Sequence, residues 1–125
     1  MGNNMKKILI IAIVMGFTSQ SVMARDKYDR TFDSIYMAQK IYYSLDKKLN
    51  LVFSQLKNEL PSKGKAILNK SENQWISKRD HKCAFPATNS VDISCAISET
   101  KARLHFLEDR LRECEETGCK IKNLQ

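Results

Sequence analysis

The sequence lacks the patterns by which metal sites, nucleic-acid arms and membrane spans are usually identified. Its two histidines and four cysteines form no C-x-x-C or H-x-x-x-H spacing, so no metal site is predicted. No basic run is longer than two residues, which argues against a nucleic-acid partner. The longest apolar run, residues 8–17, spans only about 15 Å as a helix, against a hydrocarbon core of roughly 30 Å. We therefore expect no cofactor, and no membrane span once this run is removed.

Little in the sequence suggests catalysis. His81 follows Asp80, but adjacent residues on a helix do not face each other. His105 has Asp109 four residues later, which is the spacing of an ordinary surface pair. Neither histidine has a serine or cysteine nucleophile signature nearby, so we expect a protein that is not an enzyme.

Residues 1–24 have the build of an export signal. Lys6 and Lys7 precede the apolar run, and Val22 and Ala24 offer aliphatic or small side chains to a signal peptidase. The sequence predicts a signal peptide at 1–24 and a mature domain at 25–125, located in the periplasm or secreted. Cleavage removes two lysines and no acidic residue, so the formal net charge falls from +7 to +5. This cationic bias also allows an anionic lipid or wall polymer as partner.

All four cysteines lie in the predicted mature domain: Cys83, Cys95, Cys114 and Cys119. An even number in an oxidising compartment argues for two disulfides. Of the three possible connectivities, Cys83 to Cys95 and Cys114 to Cys119 close the shortest loops and therefore cost the least entropy.

Three stretches have helical periodicity. From Thr31 to Leu60 neither glycine nor proline occurs, and apolar residues recur at steps of three and four, namely Ile35, Ala38, Tyr42, Leu45, Leu49, Val52 and Leu56. Pro61 should end this helix. A second helix is predicted from Ser62 to Cys83, with the polar stretch 70–74 interrupting its apolar pattern.

The third helix should begin with Ser90 or Asp92 as its cap and stop at Gly118. No segment shows the period-two alternation of a strand. The predicted fold is therefore all-α: a small antiparallel three-helix bundle, with one long and two shorter helices, stapled by disulfides.

One face of the second helix gathers unusual side chains, because Trp75, Arg79 and Cys83 are spaced at i, i+4 and i+8. Such a face can bind a partner or merely pack. In the packing interpretation Trp75 fills the core, and Arg79 pairs with a first-helix carboxylate such as Asp46.

A set of short motifs resembles a known family. In order along the chain they are Asp46-x-x-Leu49-Asn50, Gln74-Trp75, Arg79-Asp80-x-x-Cys83, then Cys95 and Thr100-x-x-Arg103. Over residues 31–112 the chain is similar to the LprI-like lysozyme inhibitor N-terminal domain family. The resemblance implies an exported helical domain with Cys83 bridged to Cys95, and lysozyme inhibition for the family's namesake. This chain lacks the first-helix cysteine often seen in the family and adds Cys114 and Cys119.

These observations lead to one principal hypothesis and two alternatives. The first is an exported helical binding protein that inhibits a lysozyme or related peptidoglycan hydrolase. In this hypothesis the disulfide-tied loop around Phe85, Pro86, Thr88 and Asn89 inserts into the substrate cleft of the enzyme. The alternative is that this loop only connects two helices. An acidic patch at Glu108, Asp109, Glu113, Glu115 and Glu116 is a second candidate docking surface for a basic hydrolase.

The first alternative is a periplasmic immunity protein or adaptor that neutralises a secreted cell-wall toxin such as an amidase. The second is an envelope protein whose basic patch contacts anionic lipid or wall polymer, with Lys57, Lys63, Lys65 and Lys70 as candidates. A homodimer is possible through exposed apolar residues of the first helix such as Tyr36 and Tyr43.

Overall fold

The computed structural model describes the backbone of residues 19–125 and the side chains of residues 30–125. The apolar run of the predicted signal peptide lies outside the described residues, as do the side chains at the predicted cleavage site. The chain divides after Met37 into two units, of which the second, residues 38–125, lies wholly within the described residues. In the described part of the chain, no helix is both long enough and apolar enough to cross a membrane.

Three helices make up most of the structure, as predicted: α1 (Ser19–Glu59), α2 (Ser62–Cys83) and α3 (Ile93–Thr117). Helix α1 begins before Thr31 and ends one residue short of Leu60, because Pro61 cannot continue it. Helix α2 has the predicted bounds. Gly64, in the first turn of α2, allows the connection between α1 and α2 to close tightly, since a Cβ at this position would lie 3.0 Å from Cδ2 of Leu60.

The two ends of α3 are both set by single residues. Asp92, one of the two predicted caps, accepts a hydrogen bond from the backbone N–H of Cys95 at 3.0 Å. Gly118 follows the last turn with a φ of 88°, a conformation that favours glycine, and its N–H donates to the carbonyl of Cys114.

The core of the second unit is a cluster of leucines and one valine from all three helices and the C-terminal segment. Its buried members are Leu49, Val52, Leu56, Leu60, Leu68, Leu104, Leu107 and Leu124. The predicted apolar stripe of α1 supplies three of them, and Tyr42 and Leu45 are half-buried. Ile35, the first residue of the apolar stripe, belongs to the first unit and is 49 % exposed.

Two disulfides reinforce this bundle. Cys83 is bonded to Cys95 and Cys114 to Cys119, which are the pairs that close the shortest loops. The second disulfide ties the end of α3 to a short 3₁₀ turn at Ile121–Asn123, next to the buried Leu124.

The segment between α2 and α3 forms a small hairpin that sequence periodicity does not predict. Strand β1 (Ala84–Phe85) pairs antiparallel with β2 (Ser90–Val91), with Ala84 opposite Val91 and Phe85 opposite Ser90. Strands of two residues are too short to show alternation, which is why the expectation of no strand is wrong here.

Candidate partner-binding site

The hairpin at residues 84–91 is held at its base by covalent and hydrogen bonds. Cys83 ends α2 and Cys95 lies in the first turn of α3, so the disulfide fixes the distance between the two helices at this point. The N–H of Asp92 also donates to the carbonyl of Cys83 at 2.8 Å. Both strands therefore leave the bundle from a fixed base.

The tip of the hairpin is ordered by its own hydrogen bonds. The N–H of Thr88 donates to the carbonyl of Phe85 at 3.2 Å, and the Thr88 and Ser90 hydroxyls lie 2.6 Å apart. Asn89 has a φ of 53°, in the left-handed region that asparagine tolerates better than most residues. The four candidate binding residues, Phe85, Pro86, Thr88 and Asn89, are thus brought together on one turn.

The hairpin exposes all of its side chains to solvent, including two large apolar ones. Phe85 is 48 % exposed and Val91 is 61 % exposed. Since side chains alternate across a strand pair, Phe85 shares a face with Ser90, and Val91 shares the other face with Ala84. This small neutral surface has an aromatic anchor and three polar side chains.

No charged residue occurs between Ala84 and Val91. At the base of the hairpin, the carboxylate of Asp92 accepts a hydrogen bond from the N–H of Cys95, and Lys82 forms an ion pair. Nζ of Lys82 lies 2.5 Å from Oε1 of Glu99, which links the end of α2 to α3. A partner that approaches the hairpin therefore meets apolar and neutral polar groups first.

The motif residues that carry the family resemblance lie mainly in the packing between helices. Arg103 is only 8 % exposed, and its guanidinium donates to Oε2 of Glu72 from Nε at 2.9 Å. Its Nη2 lies 2.8 Å from the same oxygen and donates to the Ser71 hydroxyl at 3.1 Å. This buried cluster joins α2 to α3.

A stack of arginine and aromatic side chains continues from that cluster. The guanidinium of Arg103 lies 4.8 Å from the ring centre of Phe106 and 5.8 Å from that of Trp75. The guanidinium of Arg79 lies 4.8 Å from Trp75 and 5.9 Å from Tyr42 of α1. This arginine–aromatic stack, formed by Tyr42, Arg79, Trp75, Arg103 and Phe106, draws on all three helices.

The expected pairing of Arg79 with Asp46 is wrong. Arg79 instead binds the carboxylate of its neighbour Asp80, with Nη2 at 2.8 Å, while its guanidinium lies over the rings of Trp75 and Tyr42. Asp46 accepts a hydrogen bond from Asn50 within α1, and Leu49 between them is buried. Trp75 is half-buried beside the core.

Sequence reasoning missed Ser71 and Glu72, because they lie in the polar stretch 70–74 that interrupts the apolar pattern of α2. Both are buried and bind Arg103. Their spacing from Leu68 and Trp75, at i+3, i+4 and i+7, places them on the inward face, and this was the available signal.

The acidic patch at the end of α3 is largely neutralised by neighbouring cations. Glu108 pairs with Lys48 at 2.7 Å, and Asp109 pairs with Arg112. Glu115 and Glu116 are exposed. Only part of the predicted patch is therefore available to attract a basic partner.

The remaining patch residue, Glu113, contacts three groups at once. It accepts hydrogen bonds from Lys120 and Asn123 and lies 3.5 Å from Arg110. Burial raises the pKa of Glu113, but the Lys120 hydrogen bond, the charge of Arg110 and the Asn123 hydrogen bond together lower it below the ordinary value of 4.5.

A family model described as lysozyme inhibitor LprI matches residues 23–107 of the chain. The match includes the arginine–aromatic stack, the Glu72–Arg103 pair and the whole hairpin, and it ends before Cys114 and Cys119. No curated protein and no solved structure matches the chain significantly.

Proposed function

Because this chain belongs to the lysozyme inhibitor LprI family, we propose that it is an exported binding protein that inhibits a lysozyme or a related peptidoglycan hydrolase. It acts in the periplasm or outside the cell, and its partner is the hydrolase rather than a substrate of its own. The observation that carries this proposal is the family match over residues 23–107.

The hairpin is the proposed contact surface. Its base is fixed by the Cys83–Cys95 disulfide and its tip by internal hydrogen bonds, so little conformational entropy is lost when a partner binds it. Phe85 supplies an exposed aromatic side chain, a type of residue that is enriched in protein interfaces. The geometry therefore suits a small wedge that enters a cleft.

The chemistry of the tip also fits a glycan-binding cleft. Glycoside hydrolases bind sugars that carry many hydroxyl groups, and they cleave with a pair of carboxyl groups. Thr88, Asn89 and Ser90 present two hydroxyls and one amide and bring no third carboxylate into such a site. A neutral tip also limits repulsion between a cationic inhibitor and a basic enzyme.

The test measures lysis of a peptidoglycan suspension by chicken-type, goose-type and invertebrate-type lysozymes. The inhibitor is produced from the full-length gene with its disulfides formed, and is titrated into each assay. A parallel assay with a soluble chitooligosaccharide separates enzyme inhibition from shielding of the suspended polymer. We expect stoichiometric inhibition of at least one class with both substrates.

Variants locate the contact surface. Phe85→Ala should raise the inhibition constant at least about tenfold, as expected for a central aromatic anchor. Leu51→Ala is the matched control, because Leu51 is 59 % exposed on α1 and is not part of the hairpin, so its truncation should leave inhibition unchanged. Thermal melting confirms that both variants are folded.

Two results contradict the proposal. If the folded protein inhibits none of the three classes, inhibition is excluded for them and the immunity or adaptor hypothesis takes its place. If inhibition occurs but Phe85→Ala and Leu51→Ala behave alike, the hairpin is not the contact surface. Replacing Glu115 and Glu116 by Gln then tests the exposed part of the acidic patch.

A further inference from the structure

A second exposed surface follows the outer side of α2. Lys63, Lys70, Gln74, Lys78 and His81 recur at steps of seven, four, four and three residues, so they lie within one narrow arc of the helix. From Lys63 to His81 this basic row is about 27 Å long at 1.5 Å per residue. All five residues are exposed.

The charge of the three lysines in the basic row is not balanced by an ion pair within the described residues. None of them forms an ion pair with any part of the chain that the structure describes. The two carboxylates of α2 are engaged elsewhere, since Glu72 binds Arg103 and Asp80 binds Arg79. The row therefore presents uncompensated positive charge.

The charge of α2 also differs in sign from that of α3. Helix α2 has six lysine or arginine residues and two acidic ones, a formal charge of +4. Helix α3 has four basic and six acidic residues, a formal charge of −2. Of the three helices, α2 therefore has the largest formal positive charge.

We propose that the basic row binds a linear polyanion of the cell envelope, a polymer that carries carboxylate or phosphodiester groups at intervals along its length. Successive lysines of the row are separated by about 10 to 12 Å along the helix axis, so they can contact several repeats of one extended strand. The inference rests on the proposed export of the chain and not on enzyme inhibition.

A polymer fits this surface better than a bilayer or a folded protein does. Helices that lie in a membrane interface insert an apolar face, whereas the row contains no large apolar side chain. Ile76, which is 37 % exposed, lies on another side of α2. Lysine is also depleted at the centres of protein interfaces, because burying its charge is costly. A straight row of solvated cations is instead suited to counterion release from a polyanion.

Binding to this polymer would hold the protein where a peptidoglycan hydrolase acts. The basic row and the hairpin use different residues, so one molecule can engage polymer and enzyme together. The effective concentration of the inhibitor near the enzyme then rises without any new contact between the two proteins.

The test is cosedimentation of the disulfide-bonded protein, without any hydrolase, with purified cell-wall sacculi. One preparation retains its phosphodiester polymers and the other has been stripped of them, which separates phosphate from carboxylate as the ligand. The row variant Lys63→Gln/Lys70→Gln/Lys78→Gln is compared with Lys47→Gln/Lys101→Gln/Lys122→Gln. The control lysines are exposed and unpaired in the described residues, and they lie outside α2, so both variants lose the same net charge.

Each lysine near an anionic surface strengthens binding by roughly fivefold, so the row variant should bind about a hundredfold more weakly at low salt. The control variant should bind within about threefold of the unmodified protein, since dispersed charges act only at long range. Binding of the unmodified protein should weaken steeply with added salt, and the row variant should show a shallower dependence.

Three results overturn the proposal: no sedimentation with either preparation at low salt, equal loss in the two variants, or equal binding to anionic phospholipid vesicles that contain no polymer. Inhibition of soluble-substrate hydrolysis should be unchanged in the row variant. Because sedimentation is measured without enzyme, failure of the polymer proposal and failure of the inhibitor proposal are distinguishable.

Discussion

Replacing Arg103 by methionine should be strongly destabilising. The guanidinium makes two contacts of 2.8 and 2.9 Å to Oε2 of Glu72 and a third of 3.1 Å to Ser71. Methionine retains much of the apolar length of the side chain but leaves the Glu72 carboxylate buried without a cation. Breaking a buried ion pair in this way costs about 3–5 kcal/mol, against a total unfolding free energy of about 5–15 kcal/mol for a typical domain.

The contribution of the pair itself is measured by a double-mutant cycle. Glu72→Met should also destabilise the fold, because it leaves Arg103 buried and unpaired. The double variant Glu72→Met/Arg103→Met removes both charges, so it should be less destabilised than the sum of the single variants by about 2 kcal/mol. Lys101→Met is the control and should change stability by less than about 0.5 kcal/mol, because Lys101 is exposed on the same helix and forms no ion pair within residues 30–125.

Urea unfolding provides the assay, followed by the fluorescence of Trp75, the only tryptophan in the sequence, and by far-ultraviolet circular dichroism. Coincident transitions from the two probes justify a two-state free energy. A loss of less than about 1 kcal/mol in Arg103→Met would refute the argument that this pair is buried and essential. A double-mutant cycle without coupling would also refute the argument, since Glu72 and Arg103 would then contribute independently to stability.

Three further outcomes follow from other features. Cys83→Ser/Cys95→Ser should lower the unfolding free energy by about 3 kcal/mol in urea titrations, the value for a loop of this length, and should weaken the proposed inhibition because the hairpin loses its fixed base. Thr100→Val should raise the unfolding free energy by about 1 kcal/mol, since the Thr100 hydroxyl is buried with no hydrogen-bond partner in the described residues; a loss of stability would contradict this. The pKa of Glu113 is lower in the folded than in the unfolded state. The stabilisation of the fold by this carboxylate is therefore complete above pH 4.5, the ordinary pKa, and is lost as the pH falls below 4.5. Glu113→Gln should therefore make stability less dependent on pH in acid, as measured by melting temperature, and an unchanged acid dependence would exclude this role.

Much of the helical framework was predictable because it depends on local signals. Pro61 and Gly118 end helices through backbone restrictions that act within a few residues. The stripe of α1 from Ala38 to Leu56 follows from a single period repeated without interruption. The bounds of α2 were equally accessible, because a proline precedes it and an irregular segment follows it.

The tertiary partners of charged side chains were not predictable in the same way. Arg79 was expected to reach across to α1 for a carboxylate, yet its immediate neighbour Asp80 supplies one. Glu72 lies in the polar stretch 70–74, and only the position of Arg103 on another helix shows why it is buried. Such pairs depend on how helices are placed in three dimensions, which local periodicity does not encode.

The candidate site was predictable in position but not in form. The loop between Cys83 and Cys95 was identifiable from the breaks in helical pattern and from cysteine spacing. Its pairing as two short strands was not, since two residues are too few for a period. The family motifs contributed least to locating a surface, because Leu49 and Arg103 are buried and Trp75 is half-buried.

The covalent closure around the hairpin has a consequence for resistance to proteolysis. An exposed turn is a preferred place for proteolytic cleavage. If any peptide bond between Cys83 and Cys95 is cut, the disulfide still joins the two fragments into one molecule. Both new chain ends also remain attached to folded helices, each through a residue of the disulfide. A nicked molecule therefore keeps its two halves together, and digestion at this loop alone cannot release either helix from the bundle.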